Sequence, residues 1–203
     1  MIAIIDYGVG NLFSLCSSFQ KIGAEAVVTA DKRVIENAEK LILPGVGAFE
    51  DAAKKLRETG LGDLVKEQAK SGKYMMGICL GMQMLLDKSF EYGEHMGLGL
   101  IKGNVTPIKG FVRDDLKIPH IGWNGLHFTR EHFLFKYIKE GDHAYFVHSY
   151  HATDCADVLA TTEYDKPLTA AIGKDNVLGC QFHPEKSGDV GLRILRAFVE
   201  QKD

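Results

Sequence analysis

The chain has 203 residues, 45% of them hydrophobic and 25% charged, and these proportions fit a globular protein with a sizeable core. We therefore expect a single domain over residues 1–203. A net charge of -3 argues against a nucleic-acid partner. The sequence contains no run of about 18 apolar residues, the length needed to span a membrane, and the start of the chain has no basic leader. We therefore expect a cytoplasmic protein without membrane association.

The first half of the chain alternates strand-like and helix-like patterns. Apolar runs predict buried strands at 1–6, 24–29, 40–43 and, ending at Ile78, a fourth. Apolar residues at helical spacing predict helices at 11–22, 49–58 and 61–70. This alternation is typical of an α/β fold, in which helices cover both faces of a mostly parallel sheet.

The second half has a different pattern. Short β-like runs within 101–128 and 145–181 are broken by Gly, Pro, Asn and Asp, which predicts antiparallel strands added to the sheet. A final helix is predicted at 187–201, with Ser187 as its N-cap and four apolar residues facing inward.

Cys79 lies where a strand-like run gives way to a helical pattern, and Gly77 and Gly81 flank it. Glycines in these places allow the sharp turn of a nucleophile elbow, which pushes the central side chain outward. Unpaired N–H groups at the start of the following helix favour a thiolate, and the N–H of Leu80 points toward a forming oxyanion. The alternative is that Cys79 is a small buried hydrophobe at a tight turn, as most free cysteines are.

A second segment, 177–185, supplies the groups that a cysteine nucleophile needs. Its apolar part predicts a buried strand, which ends at His183, Pro184 and Glu185. Because Pro184 holds His183 extended, the imidazole and the Glu185 carboxylate can lie on one side of the chain. A base that accepts the thiol proton, with an acceptor on its other ring nitrogen, completes a triad. Without Cys79, a strand end with a solvated turn would be the simpler interpretation.

Residues 41–48 form another strand-like run that enters a glycine-rich turn. The N–H groups of Val46 and Gly47 could complete an oxyanion hole opposite Leu80. A glycine turn between strand and helix is common, so this segment only supports the nucleophile interpretation.

Together these segments resemble those of a known family. PGVGAF at 44–49, GICLGMQ at 77–83 and QFHPEKSG at 181–188 resemble the oxyanion loop, nucleophile elbow and His/Glu segment of triad-type (class I) glutamine amidotransferases. Within that family, three further segments resemble the glutaminase subunits of imidazole glycerol phosphate synthase, which serve histidine biosynthesis: IAIIDYGVGNL at 2–12, GWN at 122–124 and FVHSYH at 146–151. The resemblance covers nearly the whole chain.

The resemblance implies a three-layer, flavodoxin-like fold and a catalytic triad of Cys79, His183 and Glu185. It also implies a set of residues that hold glutamine: Gly47, Gln83, Glu91, His148, Ser149 and Tyr150. Gln83 lies one helical turn from Cys79, and Glu91 could pair with the α-ammonium group of glutamine. The alternative for Glu91 is a solvated loop acid.

No metal or other cofactor is expected. Cys16, Cys155 and Cys180 lack metal-ligand spacing, and we interpret them as reduced structural cysteines.

A biosynthetic glutaminase must deliver its ammonia to an acceptor site, and a single domain has no room for one. The resemblance therefore implies a heterodimer with a cyclase subunit, a (β/α)8 barrel that joins the ammonia to a ribulosyl nucleotide. Five residues match interface positions of the family: Asn11, Trp123, Asn124, Tyr145 and Lys186. For Trp123, an exposed aromatic anchor and a half-buried core residue are both open interpretations.

Three other functions remain open. The chain could serve a related synthase with another acceptor, such as a surface sugar; it could be a stand-alone thiol hydrolase or peptidase; or it could be a silent scaffold. Glutaminases of this kind are often nearly idle until the synthase binds its ligand. That behaviour would require a misaligned oxyanion donor at rest, such as the Val46 N–H.

Overall fold

The computed structural model describes residues 1–202. Its helices are α1 Leu12–Lys21, α2 Lys32–Asn37, α3 Phe49–Thr59, α4 Leu61–Lys70, α5 Leu80–Met84 and α6 Gly188–Glu200. Its first seven strands are β1 Ile2–Ile5, β2 Ala26–Thr29, β3 Lys40–Leu43, β4 Met75–Ile78, β5 Lys88–Ser89, β6 His95–Met96 and β7 Asn104–Pro107. The other strands are β8 His120–Gly125, β9 His127–Phe128, β10 His143–His148, β11 Tyr150–Thr153, β12 Val158–Tyr164, β13 Lys166–Lys174 and β14 Val177–Cys180.

An eight-stranded sheet in the order β2-β1-β3-β4-β14-β13-β12-β9 forms the centre of the molecule. The strands from β2 to β14 run parallel, and β13, β12 and β9 extend the sheet in antiparallel fashion. Although β4 and β14 are neighbours in the sheet, all elements from α5 to β13 lie between them in the chain. This mostly parallel sheet with antiparallel additions is the α/β architecture that the sequence predicts.

Helices cover both faces of the sheet, so the fold has three layers. On one face, α3, α4 and α5 bury apolar side chains such as Leu56, Val65 and Met82 against the strands. On the other face, α1 and α6 bury Phe19, Leu195 and Phe198. Because helices cover both faces, β1, β3, β4 and β14 are buried along their whole length, as continuous apolar strands require.

Two small sheets flank the central one. Strands β8 and β10 pair as an antiparallel ribbon, and β11, β7, β5 and β6 form a four-stranded sheet. Within residues 1–202, none of the helices is long and apolar enough to cross a membrane.

Most predicted elements are confirmed within two residues of their ends, but two details were wrong. Helix α2 was not predicted; it is short and polar, and the side chain of Asp31, the residue before it, accepts a hydrogen bond from the Arg33 N–H. Ser187 does precede α6, but its hydroxyl does not cap the helix; it donates to the His183 carbonyl and accepts from the Tyr145 N–H. The helical pattern after Cys79 is confirmed as α5, which is five residues long.

Candidate active site

Cys79 and His183, the predicted nucleophile and base, are neighbours because β4 and β14 are neighbours. The two strands run parallel, with Ile78 opposite Cys180, so both chains leave the sheet at the same edge. The N–H of Cys79 donates to the Cys180 carbonyl at 2.8 Å, which fixes the start of the elbow against the end of β14. Ligand sites of open α/β sheets lie at this carboxyl edge.

Cys79 has the backbone of a nucleophile elbow, with φ 53° and ψ -111°. A positive φ is strained for a side chain other than glycine, and such strain is typical of functional sites. A Cβ on Gly81 would lie 1.9 Å from the Leu43 carbonyl oxygen, and one on Gly77 would lie 2.6 Å from the Gly81 backbone. The two flanking glycines are therefore required by close backbone approach.

His183 lies between Cys79 and Glu185. Its Nδ1 is 2.8 Å from Glu185 Oε1, and both side chains are almost wholly buried. Burial by itself lowers the pKa of His183, but hydrogen bonds and charge interactions with Cys79 and Glu185 raise it to about 9. The prediction of an extended chain here was partly wrong: His183 is extended, whereas Glu185 lies in the 3-10 turn Pro184–Lys186.

The oxyanion loop lies across from the elbow, but its donors are not all free. Val46 is exposed, and Gly47 has a positive φ of 95°. The Leu80 N–H, expected to point toward a forming oxyanion, donates to the Gly45 carbonyl of this loop at 3.3 Å. The predicted oxyanion donor Leu80 is therefore occupied by the protein's own carbonyl group.

Tyr7 holds the base of the same loop. Its buried hydroxyl donates to the Pro44 carbonyl at 2.6 Å, and burial raises the pKa of the phenol. Sequence reasoning missed Tyr7, because nothing in its local pattern shows that the end of β1 meets the loop after β3.

A cavity of about 780 Å³ opens beside Cys79 and His183. All residues predicted to hold glutamine line it: Gly47, Gln83, Glu91, His148, Ser149 and Tyr150. The Glu91 carboxylate also accepts a hydrogen bond from the Phe49 N–H at 2.6 Å, at the start of α3. This contact holds the acidic side chain in place on the cavity wall.

Two glutamine side chains link the cavity to the nucleophile. Gln83 Nε2 donates to the Tyr150 carbonyl at 3.2 Å and to Gln181 Oε1 at 3.0 Å. Gln181 Nε2 in turn lies 3.6 Å from Cys79 Sγ. Sequence reasoning assigned no role to Gln181, although its place two residues before His183 was the available signal.

His148 belongs to a buried chain of polar contacts. Its Nδ1 donates to the Tyr150 carbonyl at 2.8 Å, and its Nε2 is 3.0 Å from His120 Nδ1. His120 Nε2 is 2.9 Å from Asn124 Oδ1. Burial lowers the pKa of His148 to about 3, despite the hydrogen bond to Tyr150. Asn124, predicted at an interface, is thus bonded within the chain.

Three of the predicted interface residues form a cluster beside the cavity, in which Trp123 and Lys186 are exposed and Tyr145 is partly buried. The rings of Trp123 and Tyr145 meet edge to face with centroids 5.9 Å apart, and Lys186 Nζ lies 5.9 Å from the Tyr145 ring centroid. Trp123 is 53% exposed, on the ribbon of β8 and β10. Asn11, the fifth, is partly buried at the start of α1.

A family model described as class-I glutamine amidotransferase matches residues 3–202. The chain belongs to the class-I glutamine amidotransferase family. Within it, the chain is 49% identical over 206 residues to imidazole glycerol phosphate synthase subunit HisH of Sulfurimonas denitrificans, covering 100% of this chain and 99% of that protein. It is 47% identical over 203 residues to the HisH subunit of Geobacillus thermodenitrificans, covering 98% and 95%. The predicted resemblance to this branch of the family is confirmed.

Solved structures with low sequence identity share the fold. A crystal structure of a glutamine amidotransferase has a TM-score of 0.77 at 22% identity, covering 98% of both chains. A chain of PurLQS from Thermotoga maritima has a TM-score of 0.73 at 21% identity, covering 98% of this class-I amidotransferase and 96% of the other chain. The predicted class I amidotransferase fold is confirmed.

Proposed function

We propose that this class-I amidotransferase is the glutaminase subunit of an imidazole glycerol phosphate synthase in histidine biosynthesis. It hydrolyses glutamine to glutamate and ammonia and passes the ammonia to a cyclase subunit. The observation that carries the proposal is the placement of Cys79, His183 and Glu185 beside a cavity lined by the residues expected to hold glutamine. An acceptor such as a surface sugar is not favoured, since relatives with 47–49% identity over the full chain are HisH subunits.

In the first half of the reaction, the Cys79 thiolate attacks the side-chain amide carbon of glutamine, and a carbon–sulfur bond forms. His183, protonated at neutral pH because its pKa is raised to about 9, gives its proton to the departing ammonia. Glu185 holds the imidazole through Nδ1, so that the other ring nitrogen faces the thiol. The product is a γ-glutamyl thioester.

In the second half, His183 accepts a proton from a water molecule that attacks the thioester carbonyl. The carbon–sulfur bond breaks, glutamate leaves and the thiolate is restored. Glu185 stabilises the imidazolium that forms in this step, as it did in the first.

The closed oxyanion hole supports a resting state with little activity. Both tetrahedral intermediates need N–H donors from Leu80 and from Val46 or Gly47, and one missing donor typically costs about 10²–10³ in rate. The Leu80 N–H is occupied by the Gly45 carbonyl, so the Gly45 peptide must move before the hole can form. We attribute this movement to the cyclase subunit and its nucleotide ligand.

The partner is a (β/α)8-barrel cyclase that forms a heterodimer with this chain. Free ammonia is largely protonated near neutral pH, so a sheltered path to the acceptor keeps it nucleophilic. The cluster of Trp123, Tyr145 and Lys186, together with Asn11 and Asn124, forms the docking surface. The chain acts as one glutaminase domain in the cytoplasm, without nucleic acid or membrane.

Glutamate release from glutamine tests this function. The chain is assayed alone, with the cyclase subunit, and with the cyclase subunit plus its nucleotide ligand, and Cys79→Ala serves as the control. We expect a low rate alone, a strong increase with partner and ligand, and no activity in Cys79→Ala. High activity without a partner would indicate a free hydrolase. No activity even with the cyclase would indicate a scaffold or a subunit of a different synthase.

A further inference from the structure

We propose that Gln181 is a hydrogen-bond donor to the nucleophile, and that its side-chain amide orients Cys79 Sγ and stabilises it as the thiolate. The proposal rests on the glutaminase function above and adds a fourth side chain to the reacting centre. Three geometric observations carry it: a fixed amide orientation, complete burial, and the surroundings of the sulfur.

The orientation of the Gln181 amide follows from its neighbours. The Tyr150 carbonyl can only accept a hydrogen bond, so the Gln83 atom 3.2 Å from it must be the NH2 group. The same NH2 group then donates to Gln181 at 3.0 Å, so the Gln181 atom it faces must be the oxygen. The remaining side-chain group of Gln181 that faces Cys79 Sγ, at 3.6 Å, is therefore its NH2 group.

Gln181 has no access to solvent. Its exposed fraction is 0%, so water cannot satisfy the N–H groups that face the sulfur. A buried donor without an acceptor is costly, and the sulfur of Cys79 is the acceptor that the geometry supplies. A thiol sulfur accepts weakly, whereas a thiolate accepts strongly, so the contact favours the ionised form.

The other polar neighbours of the sulfur make such a donor necessary. The Val147 carbonyl oxygen lies 4.0 Å from Cys79 Sγ, where it can accept from the thiol but repels a thiolate. His183 supplies one compensating positive charge, and its hydrogen-bonding capacity is shared with Glu185. The Gln181 N–H group offsets the repulsion by the carbonyl oxygen and gives the thiolate a hydrogen-bond donor in addition to His183.

The contact acts at both ends of the reaction cycle. It stabilises the thiolate before attack, and it does so again when the carbon–sulfur bond breaks and the thiolate leaves. Between these points the sulfur of the thioester is uncharged and the hydrogen bond is weak. Losing the donor should therefore raise the pH at which Cys79 ionises and slow glutamate release at neutral pH.

The test measures ionisation of Cys79 separately from turnover. The rate of alkylation of Cys79 by iodoacetamide, read from the labelled peptide by mass spectrometry, is followed from about pH 5 to about pH 10. Gln181→Met keeps the side-chain length and removes the donor. Gln181→Glu keeps an acceptor for Gln83 and presents no N–H to the sulfur. Thr162→Val is the matched control, because it removes a buried hydrogen bond, to the Gly125 carbonyl, away from the site.

For Gln181→Met and Gln181→Glu, we expect the alkylation midpoint to rise by about one pH unit, and glutamate release with the cyclase subunit to fall about tenfold near pH 7. The loss should shrink as pH rises. Thr162→Val should change neither readout.

Wild-type midpoints in both Gln181 variants, or an equal shift in Thr162→Val, would overturn the proposal even if turnover were reduced. If the wild-type complex released no glutamate while the midpoint still shifted, the proposed function would fail and the contact between Gln181 and Cys79 would stand.

Discussion

Two opposing effects determine the pKa of His183. Burial lowers its pKa, and its contacts with Cys79 and Glu185 outweigh burial and raise the pKa to about 9. The imidazolium therefore persists through neutral pH, and it is the form that gives a proton to the departing ammonia. We expect kcat/KM for glutamine to fall as pH rises through about 9, since the imidazolium is then lost.

The fall in kcat/KM at high pH is the basic limb of the pH profile. Removing the charge of Glu185 should shift this limb. Glu185→Gln takes away a contact that raises the pKa of His183, so the limb should move to lower pH. At about pH 8, kcat/KM should fall on the order of 10²-fold, the usual contribution of a general acid. The pH profile of glutamate release by the complex measures both effects, with Glu25→Gln, an exposed carboxylate before β2, as the control. A Glu185→Gln profile that superimposes on that of the wild type would contradict the assignment.

The substitution Gly81→Ala tests whether the elbow tolerates one added methyl group. In Gly81→Ala the Cβ would meet the Leu43 carbonyl oxygen at 1.9 Å, so the backbone must shift, at a cost of about 1–3 kcal/mol or more. Gly62→Ala is the matched control. Gly62 lies in α4, and a Cβ there would meet no atom closer than 3.4 Å. Denaturant unfolding should show a large loss of stability for Gly81→Ala and little or none for Gly62→Ala. Equal losses would mean that close packing at Gly81 is unimportant.

Secondary-structure elements could be predicted from the sequence wherever a local pattern determines them. β3 and α4 begin and end at the predicted residues. A short apolar run marks β3, and apolar residues at helical spacing mark α4. α2 was missed because its six residues bury a single side chain, that of Ile35, too few to give a period. The bonds of Ser187 to Tyr145 and of Leu80 to Gly45 join distant segments, and no local pattern encodes them. Residue types were enough to propose the triad, whereas the contact of Gln181 with Cys79 is visible only in the structure.

The ribbon of β8 and β10 carries the predicted docking surface, and Trp123 is its exposed centre. Trp123→Ala should weaken binding of the cyclase subunit by about 2 kcal/mol or more, as loss of an aromatic anchor commonly does. The low rate of the isolated chain should not change, because Trp123 does not line the cavity. Tyr137→Ala removes another exposed aromatic, one that bonds to Glu200 at the end of α6, and should leave the affinity unchanged. Calorimetric titration with the cyclase subunit measures both; equal affinities for the two variants would place the interface elsewhere.

Buried histidines make the free energy of unfolding of the whole molecule depend on pH. Burial lowers the pKa of His148 to about 3 and that of His151 to about 4, below the unfolded value near 6.5. The unfolded chain therefore binds more protons in this range, so stability is present above pH 6.5 and is lost as pH falls toward 4. His183 has the opposite sign: its stabilising contribution is present below pH 6.5 and is lost as pH rises through about 9.

His151 offers the cleaner test, because neither of its ring nitrogens has a hydrogen-bond partner within residues 1–202 and the ring packs on Phe111. His151→Leu should stabilise the protein by about 2 kcal/mol more at pH 5 than at pH 7.5, since only the wild type must keep a neutral imidazole there. Urea unfolding at the two pH values measures the difference. A gain that is the same at both would show that the histidine does not titrate in this way.

The pairing of β4 with β14 has a consequence for how the protein is made. Gln181 and Cys79 are 102 positions apart in sequence, yet they follow strands that pair directly. Folding must close this long loop before the nucleophile meets its base, and non-local pairing of this kind is slow. Until β14 docks, β4 has an unpaired apolar edge that other chains can join. During refolding, glutaminase activity should return only with this docking, after the signals of the local helices have recovered.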